Sequence, residues 1–268
     1  MSRMSEKFQA LKERGEKGFI AYITAGDPDL DTTRRLIAAF EEVGVDGIEL
    51  GVPFSDPMAD GPVNQRAAQR ALRHGVSLRD VLEMVGELRK ESAMPVDLFT
   101  YFNPVFRYGT ERFVEDAKCF GVDGALVLDV PPEEYGEDFK RRMDEAGLDT
   151  VFLLAPTSTE ARIRLVSEWA SGFIYYVSRT GVTGERNALA SSLRSMVARI
   201  RAFTEKPIGV AFGISDPRQV LEVAQCADAV IVGSAIVRRI EEHAGDPGLV
   251  EEVSRFVGTL TAPLKGNV

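Results

Sequence analysis

The chain has 268 residues, 44% of them hydrophobic, and its 32 basic and 41 acidic side chains leave a formal charge of −9. That size allows one large core, while an acidic balance without a basic run argues against nucleic acid or an anionic membrane as a partner. Two cysteines without CxxC spacing, Cys119 and Cys226, no apolar leader and no run of ~18 apolar residues together lead us to expect a cytoplasmic protein.

The residues before Gly18 read as a helix, with Phe8 and Leu11 spaced to cover the lower mouth of the fold, or as a frayed end. Eight short apolar, β-branched runs follow: GFIAYIT from Gly18, DGIELGV from Asp46, PVDLFTY from Pro95, DGALVLDV from Asp123, TVFLLA from Thr150, GFIYYVS from Gly172, PIGVAFG from Pro207 and DAVIVG from Asp228. Helical periodicity separates them, as in Thr32 to Val43, where Leu36, Ile37, Phe40 and Val43 share a face. After Asp246, Leu249, Val250, Val253, Phe256 and Val257 mark a closing amphipathic helix. Eight strands alternating with helices, at roughly 33 residues per unit and without a linker, predict one α/β domain over 1–268: a single (β/α)8 TIM barrel with an extra N-terminal helix.

Within the second unit, ELGVPFSDPMADGP places Glu49 among Ile48, Leu50 and Val52, where an unpaired carboxylate is costly or takes up a proton. Asp60 follows in a loop rich in Pro and Gly, so the two acids can hold different pKa values and divide acid and base work. The structural alternative is a satisfied buried Glu49 with Asp60 as a helix cap. An internal echo weighs against that alternative: GVDGIELGVP at Gly44 and GVDGALVLDVP at Gly121 share one design, and Glu49 falls opposite Leu126. The scaffold therefore does not require an acid at that slot.

Catalytic groups of such barrels lie in loops after strand C-termini. Gly213, ahead of Ile214-Ser215-Asp216-Pro217, and Gly233-Ser234 begin two helices whose N–H groups could converge on a phosphate, or they are ordinary turns and caps. SRTGVTGERN from Ser178 to Asn187 is longer than a simple connection needs and reads as a lid, or as a solvated loop. Tyr22, Phe99, Tyr101, Tyr175 and Phe212 could clasp a flat ligand at the same mouth, although each alone also suits a core. With only His74 and His243, triad chemistry and His-rich metal ligation lack their residues, and no lysine lies in the sixth strand for a Schiff base. Magnesium held by Glu49, Asp60 and Asp129 is the weaker alternative.

ITAGDP at Ile23, ELGVPFSDPMADGP at Glu49, DVP at Asp129, SRTGVTGE at Ser178, FGIS at Phe212 and GSAIV at Gly233 stand in the order seen in tryptophan synthase α subunits, which the chain resembles from about Gly18 to Glu242. The second and fourth motifs are discriminating; the last two occur in many phosphate-binding barrels. The resemblance implies a lyase that splits indole-3-glycerol phosphate into indole and glyceraldehyde 3-phosphate without a cofactor. It makes Glu49 the proton-transfer group and Asp60 the partner of the indole N–H. It makes Tyr175 a positioning group, Thr183 a lid residue that orients Asp60, and Gly184, Gly213 and Ser234 backbone donors to phosphate beside Gly233, with Tyr22, Phe99 and Phe212 lining the indole slot. The family more often carries Phe, Leu and Gly where Tyr22, Phe99 and Ala211 stand. The resemblance also implies an α2β2 complex with a β subunit that carries pyridoxal phosphate and docks on Pro53, Asp56, Pro57, Asn103 and Pro131. A self-sufficient lyase, another phosphosugar barrel enzyme and an inert regulatory subunit are the competing readings.

Overall fold

A computed structural model describes residues 2–178, 186–211 and 213–265, and of residues 186–190 the backbone alone. The apolar runs form β1 (Gly18–Thr24), β2 (Gly47–Gly51), β3 (Val96–Thr100), β4 (Gly124–Val127), β5 (Asp149–Leu154), β6 (Ile174–Val177), β7 (Ile208–Ala211) and β8 (Ala229–Val232). They pair in parallel in sequence order, and β1 pairs with β8, so the sheet closes into the expected barrel. Helices α1 (Arg3–Arg14), α2 (Leu30–Glu42), α3 (Pro62–Arg73), α4 (Leu78–Leu88), α5 (Phe102–Tyr108), α6 (Thr110–Phe120) and α7 (Pro132–Tyr135) occupy the first half. Then come α8 (Glu137–Ala146), α9 (Glu160–Trp169), α10 (Arg186–Arg201), α11 (Pro217–Ala224), α12 (Ser234–Glu242) and α13 (Leu249–Thr261).

Alternation along the strands divides the apolar side chains into two populations. Phe19, Ala21, Ile23, Ile48, Leu50, Val96 and Leu98 face outward and pack with Leu36, Ile37 and Phe40 of α2 and with the other helices. Ile20, Leu126, Val151, Phe173, Tyr175, Ala229 and Ile231 face inward. Leu126 is thus an inner side chain at the slot that Glu49 holds two strands earlier. Gly44 and Gly121 end their units with φ of +86° and +78°, a backbone region open to glycine without strain.

The lower mouth is plugged by α1, whose Met4, Phe8 and Leu11 are buried at helical spacing. Phe8 meets Phe173 with ring centroids 5.6 Å apart. Met4 and Leu11 fill the space left by inward Gly47 and Gly18, where a Cβ would stand 2.8 and 3.2 Å from them. Around this plug, acids at the strand starts tie neighbouring strands together. The amides of Phe19, Val96 and Ile208 donate to Asp46, Asp123 and Asp228 at 2.9, 2.8 and 2.9 Å. Each acid is also paired with cations: Asp46 with Lys265, Asp123 with Arg3 and Arg89, Asp228 with Arg201 and Lys17.

Candidate active site

Glu49 points from the middle of β2 into the barrel, 2% exposed, between Tyr22 on β1 and Asp97 on β3 in the sheet register. Neither of its carboxylate oxygens has a hydrogen-bond partner among the described residues. Burial drives its pKa well above the ordinary carboxylate value, with the Tyr175 hydroxyl opposing. Tyr175 is near enough to perturb Glu49 yet outside hydrogen-bond geometry.

Asp60 sits above, on the loop between β2 and α3, partly buried. Gly61, not Asp60, occupies the N-cap of α3. The Tyr101 hydroxyl donates to Asp60 Oδ2 at 3.0 Å and accepts the Ala59 amide at 3.0 Å, while Gln65 Nε2 donates to the Asp60 carbonyl at 2.9 Å. Burial raises the Asp60 pKa, and the hydrogen bond from Tyr101 and the nearby Asn64 side chain hold it back. The two acids thus face different environments, Glu49 buried and without a hydrogen-bond partner among the described residues, Asp60 anchored and hydrogen-bonded. They also converge, because the charges of both bear on the hydroxyls of Tyr22 and Tyr175 and hold those phenols protonated, with burial the larger cause.

An aromatic row runs across the barrel beside Glu49. Tyr22 meets Phe99 edge-on at 5.0 Å between centroids, and Phe99 lies 6.4 Å from Tyr175. Tyr22 also fits against Gly51 and Gly233: a Cβ at Gly51 would come within 2.4 Å of its hydroxyl. Phe54 rests against Tyr101 at 5.2 Å. Tyr101, expected to touch a ligand, directs its hydroxyl to Asp60. Together with Asn64 it is a support that sequence reasoning missed, because the loop must fold back before the contact exists.

The two helix starts expected to share an anion are not equivalent. The N-cap Asp216 of α11 accepts from the amides of Arg218 and Gln219 at 2.9 and 3.1 Å, and Gln219 Oε1 accepts the Ser215 amide at 2.8 Å. A carboxylate already closes that helix start. Helix α12 is different, since its N-cap Gly233 supplies no side chain and exposed Ser234 opens it. Gly213, exposed at φ +43°, stands nearby in chain order after β7. Of the other expectations, Thr183, Gly184, Phe212 and the proposed lid beyond Ser178 lie outside the described residues.

On the rim, Asp56 and Asn103 are exposed and Pro57 and Pro131 are half-buried, whereas Pro53 is buried and shapes the loop without offering surface of its own. Met58 and Phe106 are 85% and 66% exposed on the same rim, on the loop before α3 and on α5. Asp129 is exposed and accepts the Phe102 amide at 2.7 Å, which makes it a cap for α5 rather than a companion of Glu49. No group of three or more His, Cys, Asp or Glu is placed to hold a metal ion among the described residues.

A family model for the tryptophan synthase alpha chain matches residues 8–262, nearly the whole chain. The chain belongs to the tryptophan synthase α chain family. Relatives of that name from Citrifermentans bemidjiense and Geobacter sp. strain M21 are 52% and 51% identical over 268 residues, covering all of both chains. Among solved structures, a tryptophan synthase alpha chain from Legionella pneumophila superposes with a TM-score of 0.90 at 34% identity over both full lengths. A chain from a tryptophan synthase complex of Pyrococcus furiosus gives 0.83 at 35% identity, covering 92% of this chain and 99% of its own. As a tryptophan synthase α chain, the protein is a carbon–carbon lyase acting on indole-3-glycerol phosphate, the α reaction of tryptophan biosynthesis.

Proposed function

We propose that Glu49 carries the proton transfers of this cleavage and that Asp60 holds the indole nitrogen. The observation supporting this reading is a buried carboxyl without a hydrogen-bond partner among the described residues, set among aromatic side chains beneath a second, anchored acid. A bond to indole C3 breaks readily only after C3 is protonated, because the resulting indoleninium nitrogen can accept the bonding electrons. Burial favours the protonated form of Glu49, and the anion left after donation can take the hydroxyl proton as the aldehyde forms. Asp60, held nearer the ordinary acid range by its hydrogen bonds, suits a charge-assisted contact to the indole N–H. Tyr175 positions Glu49. Tyr22 and Phe99, with Phe212, line the slot, and Tyr101 acts through Asp60. Gly213, Gly233 and Ser234, with Gly184, provide backbone donors for the phosphate, the uncapped start of α12 carrying most of the work.

In this reading residues 1–268 act as one domain in the cytoplasm and need no cofactor. Pyridoxal phosphate belongs to a β subunit that completes an α2β2 complex and docks over Asp56, Pro57, Asn103 and Pro131. Asp60 shares its loop with Asp56, so docking there bears on the position of an active-site acid. The test is indole release from indole-3-glycerol phosphate by the chain alone and with a β subunit. Turnover should rise on complex formation and vanish in Glu49→Gln while substrate still binds; retained turnover in that variant would overturn the role of Glu49.

A further inference from the structure

Beside Glu49 the barrel holds a second carboxyl that the reaction as described does not use. Asp97 on β3 is the register neighbour of Glu49, shares its inward phase and is 1% exposed. Neither of its oxygens has a hydrogen-bond partner among the described residues. Its Oδ1 occupies space that Gly124 leaves open, 2.8 Å from where a Cβ would stand. The acids at the strand starts show what a structural aspartate does in this fold, since Asp46, Asp123 and Asp228 each accept a backbone amide and pair with a cation. Asp97 does neither.

The groups around the pair are mostly neutral or acidic. Glu49 is faced by the hydroxyls of Tyr22 on β1 and Tyr175 on β6, with Asp60 above. Asp97 is faced by Glu49 on β2, Asp149 on β5 and Asp123 ahead of β4, and Arg89 after α4 opposes them weakly. Burial first, then the charges of Asp149, Asp123 and Glu49, push Asp97 well above the ordinary carboxylate range.

We propose that Asp97 is a positioning residue for the lyase, forming with Glu49 a coupled carboxyl pair that shares a proton between neighbouring strands. The proposal rests on the acid and base role given to Glu49 above. When two neighbouring carboxyls titrate in a poorly solvated interior, the first ionisation holds the second proton in place, and both steps belong to the pair. Glu49, with fewer acids against it, ionises first. While one proton remains, the fraction of molecules carrying it on Glu49 does not depend on pH, because moving it between the two sites takes none from solvent. The acid needed at indole C3 therefore persists where a lone Glu49 would be depleted about tenfold per pH unit.

Infrared titration of the full chain, with isotope-labelled aspartate separating Asp from Glu carboxyl bands, reads the pair directly. A protonated aspartate band should persist above the ordinary carboxylate range, lose intensity in Asp97→Asn, and have that lost component titrate at lower pH in Glu49→Gln than in the parent, because the neighbouring charge is gone. In the complex with a β subunit, the alkaline limb of kcat should level off in the parent and fall about tenfold per pH unit in Asp97→Asn. Equal midpoints with and without the Glu49 charge, an Asp97 that titrates in the ordinary carboxylate range, or superimposable alkaline limbs would overturn the pair. The Glu49→Gln arm leaves Asp97 unchanged and carries the test if Asp97→Asn does not fold. Turnover retained by Glu49→Gln would refute the reading of Glu49 while the infrared coupling still reports on the pair.

Discussion

One hydroxyl, that of Tyr101, joins the returning loop to its acid: it receives the Ala59 amide and donates to Asp60. A hydrogen bond to a charged group contributes about 1.5–3 kcal/mol, so Tyr101→Phe should lower kcat/KM by roughly tenfold or more with the fold intact. Steady-state kinetics beside a thermal melt checks this, and unchanged kinetics would remove Tyr101 from the site. At this scale the sequence is uneven. Glu49 is legible because a charge inside an apolar strand has no ordinary reason to be there, and because the repeat supplies Leu126 as its control. Asp97 escapes notice in PVDLFTY, where its inward phase and missing partner appear only once the barrel is closed. The role of Tyr101 escapes too, since its contact spans 41 positions of chain.

Between elements, a buried ion pair locks the upper end of β1 to its neighbours. Arg70 of α3 grips Asp27 with both ends of its guanidinium, at 2.7 and 2.9 Å, and reaches Glu241 of α12 at 2.7 Å. Burial raises the Asp27 pKa and Arg70 opposes the rise, so Arg70→Met should strand a buried charge at a cost of about 3–5 kcal/mol in urea unfolding. Adding Asp27→Asn should recover part of that loss; no recovery would show that Arg70 acts through packing. The strands are legible because runs bounded by Gly, Pro and Asp have few other ways to fold. Helix α2 starts at Leu30, slightly before the Thr32 suggested by periodicity, because Asp29 caps it through the Thr32 amide at 2.7 Å. Helix α5 is hidden because its Asn103-Pro104 reads as a turn, whereas the cap that starts it, Asp129, comes from the loop after another strand.

For the whole molecule, buried acids set how stability follows pH. The folded-state pKa values of Glu49 and Asp97 lie above those of the unfolded chain, about 4.3 and 3.9. Below about pH 4 both groups are protonated in either state and impose no penalty. As pH rises the unfolded chain ionises freely while the folded one holds its protons, so stability falls up to the folded-state values. Glu49→Gln and Asp97→Asn should therefore raise Tm near neutrality, by a margin that grows with pH and closes toward about pH 4. Glu241, lowered to about 2 chiefly by Arg66, acts in the opposite sense: its stabilisation is present above about pH 4.3 and is lost as pH falls. Melting curves across pH separate the two contributions, and a margin constant with pH would reject the first. The pairing of Asp46 with Lys265, 219 positions apart, reaches beyond titration. Thr261 likewise caps the Val43 carbonyl at the end of the second unit. A chain emerging in order can build β1, α2 and β2 early, yet the lower edge of that opening segment stays unfinished until residues near the far end arrive. The barrel is closed twice over, once by β1 meeting β8 and once by this late clasp, so its earliest part is among the last to become secure.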